Sequence, residues 1–111
     1  MLVTRSSPFG SKTRTRVLLA LRLLSESYPR ELARVLDTPL YSVQQALKGL
    51  EVDGIVAGRN AGRTRLFRLN PRYFAFEDLQ RYLLRLAEPE DMLKKSIDDL
   101  RRRPRRTGKR V

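Results

Sequence analysis

Residues 29–54 read PRELARVLDTPLYSVQQALKGLEVDG, and their pattern decides the fold. Two helical patterns lie in this stretch, and each is opened by a proline. Leu32, Val35 and Leu36 give the first a short apolar face, which predicts a helix over about 29–36. Pro29 suits its first turn, where a missing N–H costs nothing. Asp37 and Thr38 form a tight connection, with Thr38 the expected cap of the next helix and Pro39 its first residue. Val43, Leu47 and Leu50 then recur at spacings of three and four as far as Gly54, a helix stop. Two short helices joined by so few residues make a helix-turn-helix.

The outward positions of the second helix are Tyr41, Ser42, Gln44, Gln45 and Lys48. Although 32% of the chain is charged, no charge falls between Pro39 and Leu47. Solvated helices ordinarily carry Glu and Lys there, so an exposed face of Tyr, Ser and two Gln asks for a purpose.

Before this unit, Val17, Leu18, Ala20, Leu21, Leu23 and Leu24 predict a helix over about 11–26. After it, IVAG reads as a strand, RNAG as a turn and RTRLFRLN as a second strand, which Pro71 ends. Residues 74–87 return to helical spacing. Beyond Pro89, PEDMLKKSIDDLRRR offers either a separate helix or a kinked continuation. The expected organisation is an irregular arm (1–10), a three-helix core with a hairpin (11–73), a helical segment (74–100) and a disordered basic tail (101–111). The class is mainly α with a small β-hairpin.

The 111 residues suit one domain with one modest core, and they carry a net charge of +12. A basic body and tail point to a polyanionic partner, with nucleic acid ahead of an anionic membrane; the bland alternative is charge for solubility. With no Cys and no His, disulfides are excluded, and zinc or copper sites and a His-based triad lose their ligands. No cofactor is expected. No apolar run approaches a membrane span, and the first residues lack the apolar stretch of a signal peptide, so a cytoplasmic, nucleoid-associated protein is expected.

Three helices followed by a hairpin describe a winged helix. The stretches FGSKTRTRVLLALRLL, YPRELARVL, VQQALKGLEVDGIV and GRTRLFRLNP, taken in order, resemble the ArsR-like winged helix-turn-helix regulators over about residues 9–73. The resemblance implies DNA-binding transcriptional control by a homodimer, with the third helix in the major groove and the wing on the backbone or minor groove. It places Leu40, Tyr41, Ser42, Gln44, Gln45 and Lys48 on the recognition surface, and Arg59, Arg63 and Arg65 on the wing. It also implies an interface built from the first and last helices, here Leu18, Leu21, Phe76, Leu79, Tyr82, Leu83 and Leu86. The alternative is that these residues cover the core of one chain.

The chemistry of the residues agrees. Gln bonds two atoms on the major-groove edge of adenine, and Ser or Tyr bonds base or phosphate. Lys48 pairs with phosphate or guanine. Lys12, Arg14 and Thr15 open the first helix, where free N–H groups can donate to phosphate. The chain departs from the family by lacking metal-sensing Cys and His, and by carrying Asp37 where relatives often have glycine. Gly49 inside the third helix costs about 1 kcal/mol against Ala, and either permits close packing or is tolerated.

A non-enzymatic, sequence-specific regulator of double-stranded DNA is the leading expectation; its effector and operator are unknown. The competing readings are an architectural protein coating DNA with little base preference, and a winged-helix module for protein or RNA. The Arg-rich tail reads as a DNA arm, a solvated tail or a nuclear signal.

Overall fold

The computed structural model describes residues 9–102. Five helices and one hairpin follow in order: α1 (Lys12–Leu24), α2 (Pro29–Leu36), α3 (Leu40–Val52), β1 (Val56–Ala61), β2 (Thr64–Leu69), α4 (Phe76–Ala87) and α5 (Asp91–Arg102). The expected winged helix-turn-helix with C-terminal helices is the observed architecture.

α1 is the central post. The Ser11 hydroxyl accepts from the Arg14 backbone N–H at 3.0 Å and caps its first turn. Its Val17–Leu21 run is buried all round, because α1 meets α3, α2, β2, α4 and α5. Burying each of these leucines contributes about 1.5–3 kcal/mol. The helix ends at Leu24, two residues short of the expected end, and its cap Ser25 turns to a positive φ of 76°.

Pro29 occupies the first turn of α2 as expected. Asp37 closes α2 in the left-handed conformation (φ 50°, ψ 51°), which favours glycine and which Asp tolerates better than most residues. Thr38 does not cap α3. Its hydroxyl donates to the Leu36 carbonyl at 3.0 Å and accepts from Arg16 at 3.3 Å, so it closes the preceding helix instead. Pro39 is the flanking residue, and α3 starts at Leu40. Gly54 ends that helix at φ 79°.

The hairpin pairs Val56 with Leu69 through to Ala61 with Thr64, which leaves Gly62 and Arg63 as a two-residue loop. The turn therefore lies later than RNAG. Gly62 supplies the positive φ (65°), and Arg59, Asn60 and Ala61 continue the strand. Ser27 exchanges backbone hydrogen bonds with Phe67 at 3.0 and 2.7 Å, which ties the wing to the α1–α2 connection.

α4 packs on α1, and α5 packs on α2 and α1. α4 and α5 are separate helices, with Pro89 in the break. Leu79, Leu83, Ala87, Leu93 and Ile97 join Leu18, Leu32 and Val43 in a single core. α5 runs through Arg101 and Arg102, two residues into the expected tail. The rest of that tail, 103–111, and residues 1–8 of the arm lie outside the described residues.

Candidate nucleic-acid interface

α3 shows solvent one stripe at helical spacing: Tyr41, Gln45, Lys48 and Val52, with Gln44 beside them. Tyr41 is 71% exposed and Val52 80%. Leu40 and Ser42 are half-buried at the stripe's start. A groove on one flank is lined by Ser11, Thr13, Arg14, Tyr41, Ser42 and Gln45, and so faces the start of α1. A groove on the other flank is lined by Pro29, Gln44, Lys48, Glu51, Arg65 and Phe67, and so faces the wing. The uncharged half of α3 thus stands between two basic elements.

The expected cations divide into two groups. Lys12, Lys48 and Arg63 are exposed and have no ion-pair partner among the described residues. Arg14, Arg59 and Arg65 are each engaged. Arg14 reaches from α1 to the Asp53 carboxylate at 3.1 Å. Its guanidinium lies over Gly49, where an added Cβ would stand 2.0 Å from Nη2. The mid-helix glycine therefore has a packing reason: it seats an arginine.

Arg65 is held similarly from the wing. It donates to Glu51 at 2.6 Å and to the Asn60 side chain at 3.2 Å. It lies 5.5 Å from the centre of the Phe67 ring and against Gly58, whose added Cβ would stand 2.8 Å from Nε and Nη2. Strand alternation explains the seat, because Arg65, Phe67 and Leu69 share the face of β2 turned to α3 and the core.

Arg59 points the other way. It sits opposite Leu66 in the register and grips Glu26 with two hydrogen bonds, at 3.0 and 3.1 Å. The hydrogen bond from Arg59 holds the Glu26 carboxyl below the usual carboxylate range, aided by the charges of Arg59 and Arg68. The same bond raises Arg59 above the ordinary arginine value. Arg59 and Arg65 therefore do not form one basic face, although both lie on the wing.

Several expected site residues need correction. Thr15 is fully buried, and its hydroxyl donates to the Ser11 carbonyl at 3.0 Å, so it has no surface to offer phosphate. Leu18, Leu21, Leu79 and Leu83 are buried in the chain's own core, because α4 folds back on α1. Phe76 and Leu86 are half-buried against that core. Of the expected interface set only Tyr82 is substantially exposed, at 45%, and Leu84 beside it is equally so.

Sequence reasoning missed Val52, Glu51, Asp53 and the Gly58 seat, and for Gly49 it left close packing and mere tolerance open. The one available signal was Gly49, a costly residue in a helix interior. Among the described residues no group of three or more His, Cys, Asp or Glu comes together, and no helix is long and apolar enough to cross a membrane.

No protein-family model and no curated protein matches the chain. Among solved structures it is similar to the crystal structure of the adhesin competence repressor (AdcR) from Streptococcus pyogenes. The TM-score is 0.57 at 17% identity, over 89% of this chain and 80% of that one. At that identity the likeness shows the winged-helix fold alone; it does not single out the ArsR-like group.

Proposed function

We propose that this protein is a sequence-specific regulator of transcription that binds double-stranded DNA and catalyses no reaction. The observation that carries the reading is the exposed, hydrogen-bonding half of α3, with Tyr41, Gln44 and Gln45 set between two basic flanks. α3 enters the major groove. Gln44 and Gln45 bond adenine edges, and Val52 continues the stripe where a thymine methyl would lie. Lys12, Lys48 and Arg63 contact phosphates. The similarity to a repressor of the same fold supports this reading at the level of the fold.

A homodimer presents two such helices to successive grooves. Its apolar contact is the outer side of α4 at Tyr82 and Leu84, since the inner side is spent on the core. A cytoplasmic setting fits the absence of a spanning helix among the described residues.

The test is selection of bound genomic fragments by the purified full-length protein at rising salt. Enrichment of one shared, palindromic site supports the proposal. Equal affinity for every fragment at moderate salt would replace it with a DNA-coating protein, a reading the net charge of +12 favours. No duplex binding at low salt would leave a protein or RNA module.

A further inference from the structure

Both edges of the recognition stripe end in a carboxylate that holds an arginine. Asp53 takes Arg14 on the α1 side and Glu51 takes Arg65 on the wing side. We infer that Glu51 and Asp53 are specificity determinants that withhold these two arginines from phosphate and so hold down the affinity for arbitrary DNA. The inference rests on the DNA-binding reading above and adds to it a limit on binding that ignores sequence.

Three observations carry it. First, each arginine has a built seat. Gly49 and Gly58 leave room that no other residue would, and Arg65 also has the Phe67 face and the Asn60 carbonyl. Second, both carboxylates belong to the reading helix or its cap, and both remain part-exposed at 38% and 49%. They therefore stand on the surface that a polyanion must approach. Third, the chain has no shortage of cations. Lys48 on the stripe, Lys12 in the first turn of α1 and Arg63 in the wing loop are exposed and have no ion-pair partner among the described residues. A surface selected only for affinity would not place two carboxylates on the same helix end as Lys48.

The physical consequence follows from charge. A phosphate that draws Arg14 or Arg65 away must compete with a carboxylate about 3 Å distant and leave it unpaired beside the duplex. That penalty falls on every sequence alike, whereas hydrogen bonds from Gln44 and Gln45 reward only some. Lowering the sequence-independent part raises the relative weight of base contacts, which is how a repulsive element sharpens recognition.

The test uses the full chain and a random-sequence duplex of about three turns, with affinity measured against salt. Glu51→Gln and Asp53→Asn each tighten binding about five- to ten-fold at 0.1 M salt and steepen the log–log slope by about 0.9, the value of one added phosphate contact. The gain from Glu51→Gln vanishes when Arg65→Gln is added, and the gain from Asp53→Asn vanishes with Arg14→Gln. Asp98→Asn on α5 makes the same charge change away from the stripe and leaves the slope unaltered.

Unchanged affinity and slope in both carboxylate variants would overturn the inference. So would weaker binding, which would make the carboxylates positioning groups for DNA-bound arginines. An equal gain from Asp98→Asn would reduce it to net charge. If the unaltered protein binds no duplex even at low salt, the DNA-binding reading itself falls, a result distinct from all of these.

Discussion

The two halves of α3 are built for different tasks. From Leu40 to Leu47 the helix has no charge, and it exposes Tyr41, Gln44 and Gln45. From Lys48 to its cap at Asp53 it carries one cation and two carboxylates, and arginines from α1 and the wing clasp it. The first half is free to bond with a partner. The second half is bound to its own protein. The arginines also supply positive charge at a helix end whose last turn contains no basic residue, so they oppose the carbonyl end of the helix dipole. Under the proposed function, α3 must be held rigidly and yet leave its base-bonding atoms unpaired. Placing the clasps beyond the stripe's uncharged part meets both needs.

The largest expected effect breaks the reading half. Gln44→Ala with Gln45→Ala removes about 1–3 kcal/mol of discrimination per lost bidentate contact, with the melting temperature changed little because both side chains are exposed. Competition between the selected site and random duplex measures it. If the preference survives, the first half of α3 is a solvated surface and the comparison fails. Next comes Arg63→Ala at the wing loop. It weakens binding to all sequences about equally and lowers the salt slope by about 1, the behaviour of a phosphate contact without base readout.

The sequence made the helix-turn-helix legible because its signals are local. Two prolines, Asp37 and Gly54 punctuate the chain, and leucines at spacings of three and four fill the intervals. The uncharged exposed face of α3 was legible for a related reason: missing charge is visible in one dimension. Three things were not. The Asn and Gly of RNAG suggest a turn there, but composition is a weak guide when Gly62 alone in the hairpin takes a positive φ. The apolar faces of α1 and α4 suit core and dimer alike in the sequence, since periodicity shows that a face is buried and not by what. The Arg14–Asp53 and Arg65–Glu51 clasps join residues 39 and 14 positions apart, so only the folded chain brings them together. Gly49 held the trace of one, as a residue whose cost had no local reason.

Gly49→Ala acts at the join between the two halves. The added methyl would stand where the Arg14 guanidinium now lies, and a flexible arginine end can move away. Helix propensity gains about 1 kcal/mol. The clasp it displaces, being exposed, is worth about 0–1 kcal/mol. Thermal unfolding should therefore show a change within about 1 kcal/mol, neutral or stabilising. A loss of several kcal/mol would mean that the clasp, and not the core, holds the second half of α3 in place.

The smallest effect separates the two faces of the wing. Arg59 and Glu26 pair on the side turned away from α3, so Glu26→Gln should leave base preference unchanged. Its signature is a pH dependence. The Glu26 carboxyl is held below its ordinary value by Arg59, so the folded protein binds that proton less readily than the unfolded chain. The stabilisation is present above the ordinary carboxylate range and is lost as pH falls through the lowered folded value. Unfolding midpoints compared at neutral and acid pH should show a small deficit for Glu26→Gln at neutral pH that closes on acidification. A deficit that persists at acid pH would assign Glu26 a packing role. A change in base preference would bring the outer face of the wing into the interface, and Arg59 with it.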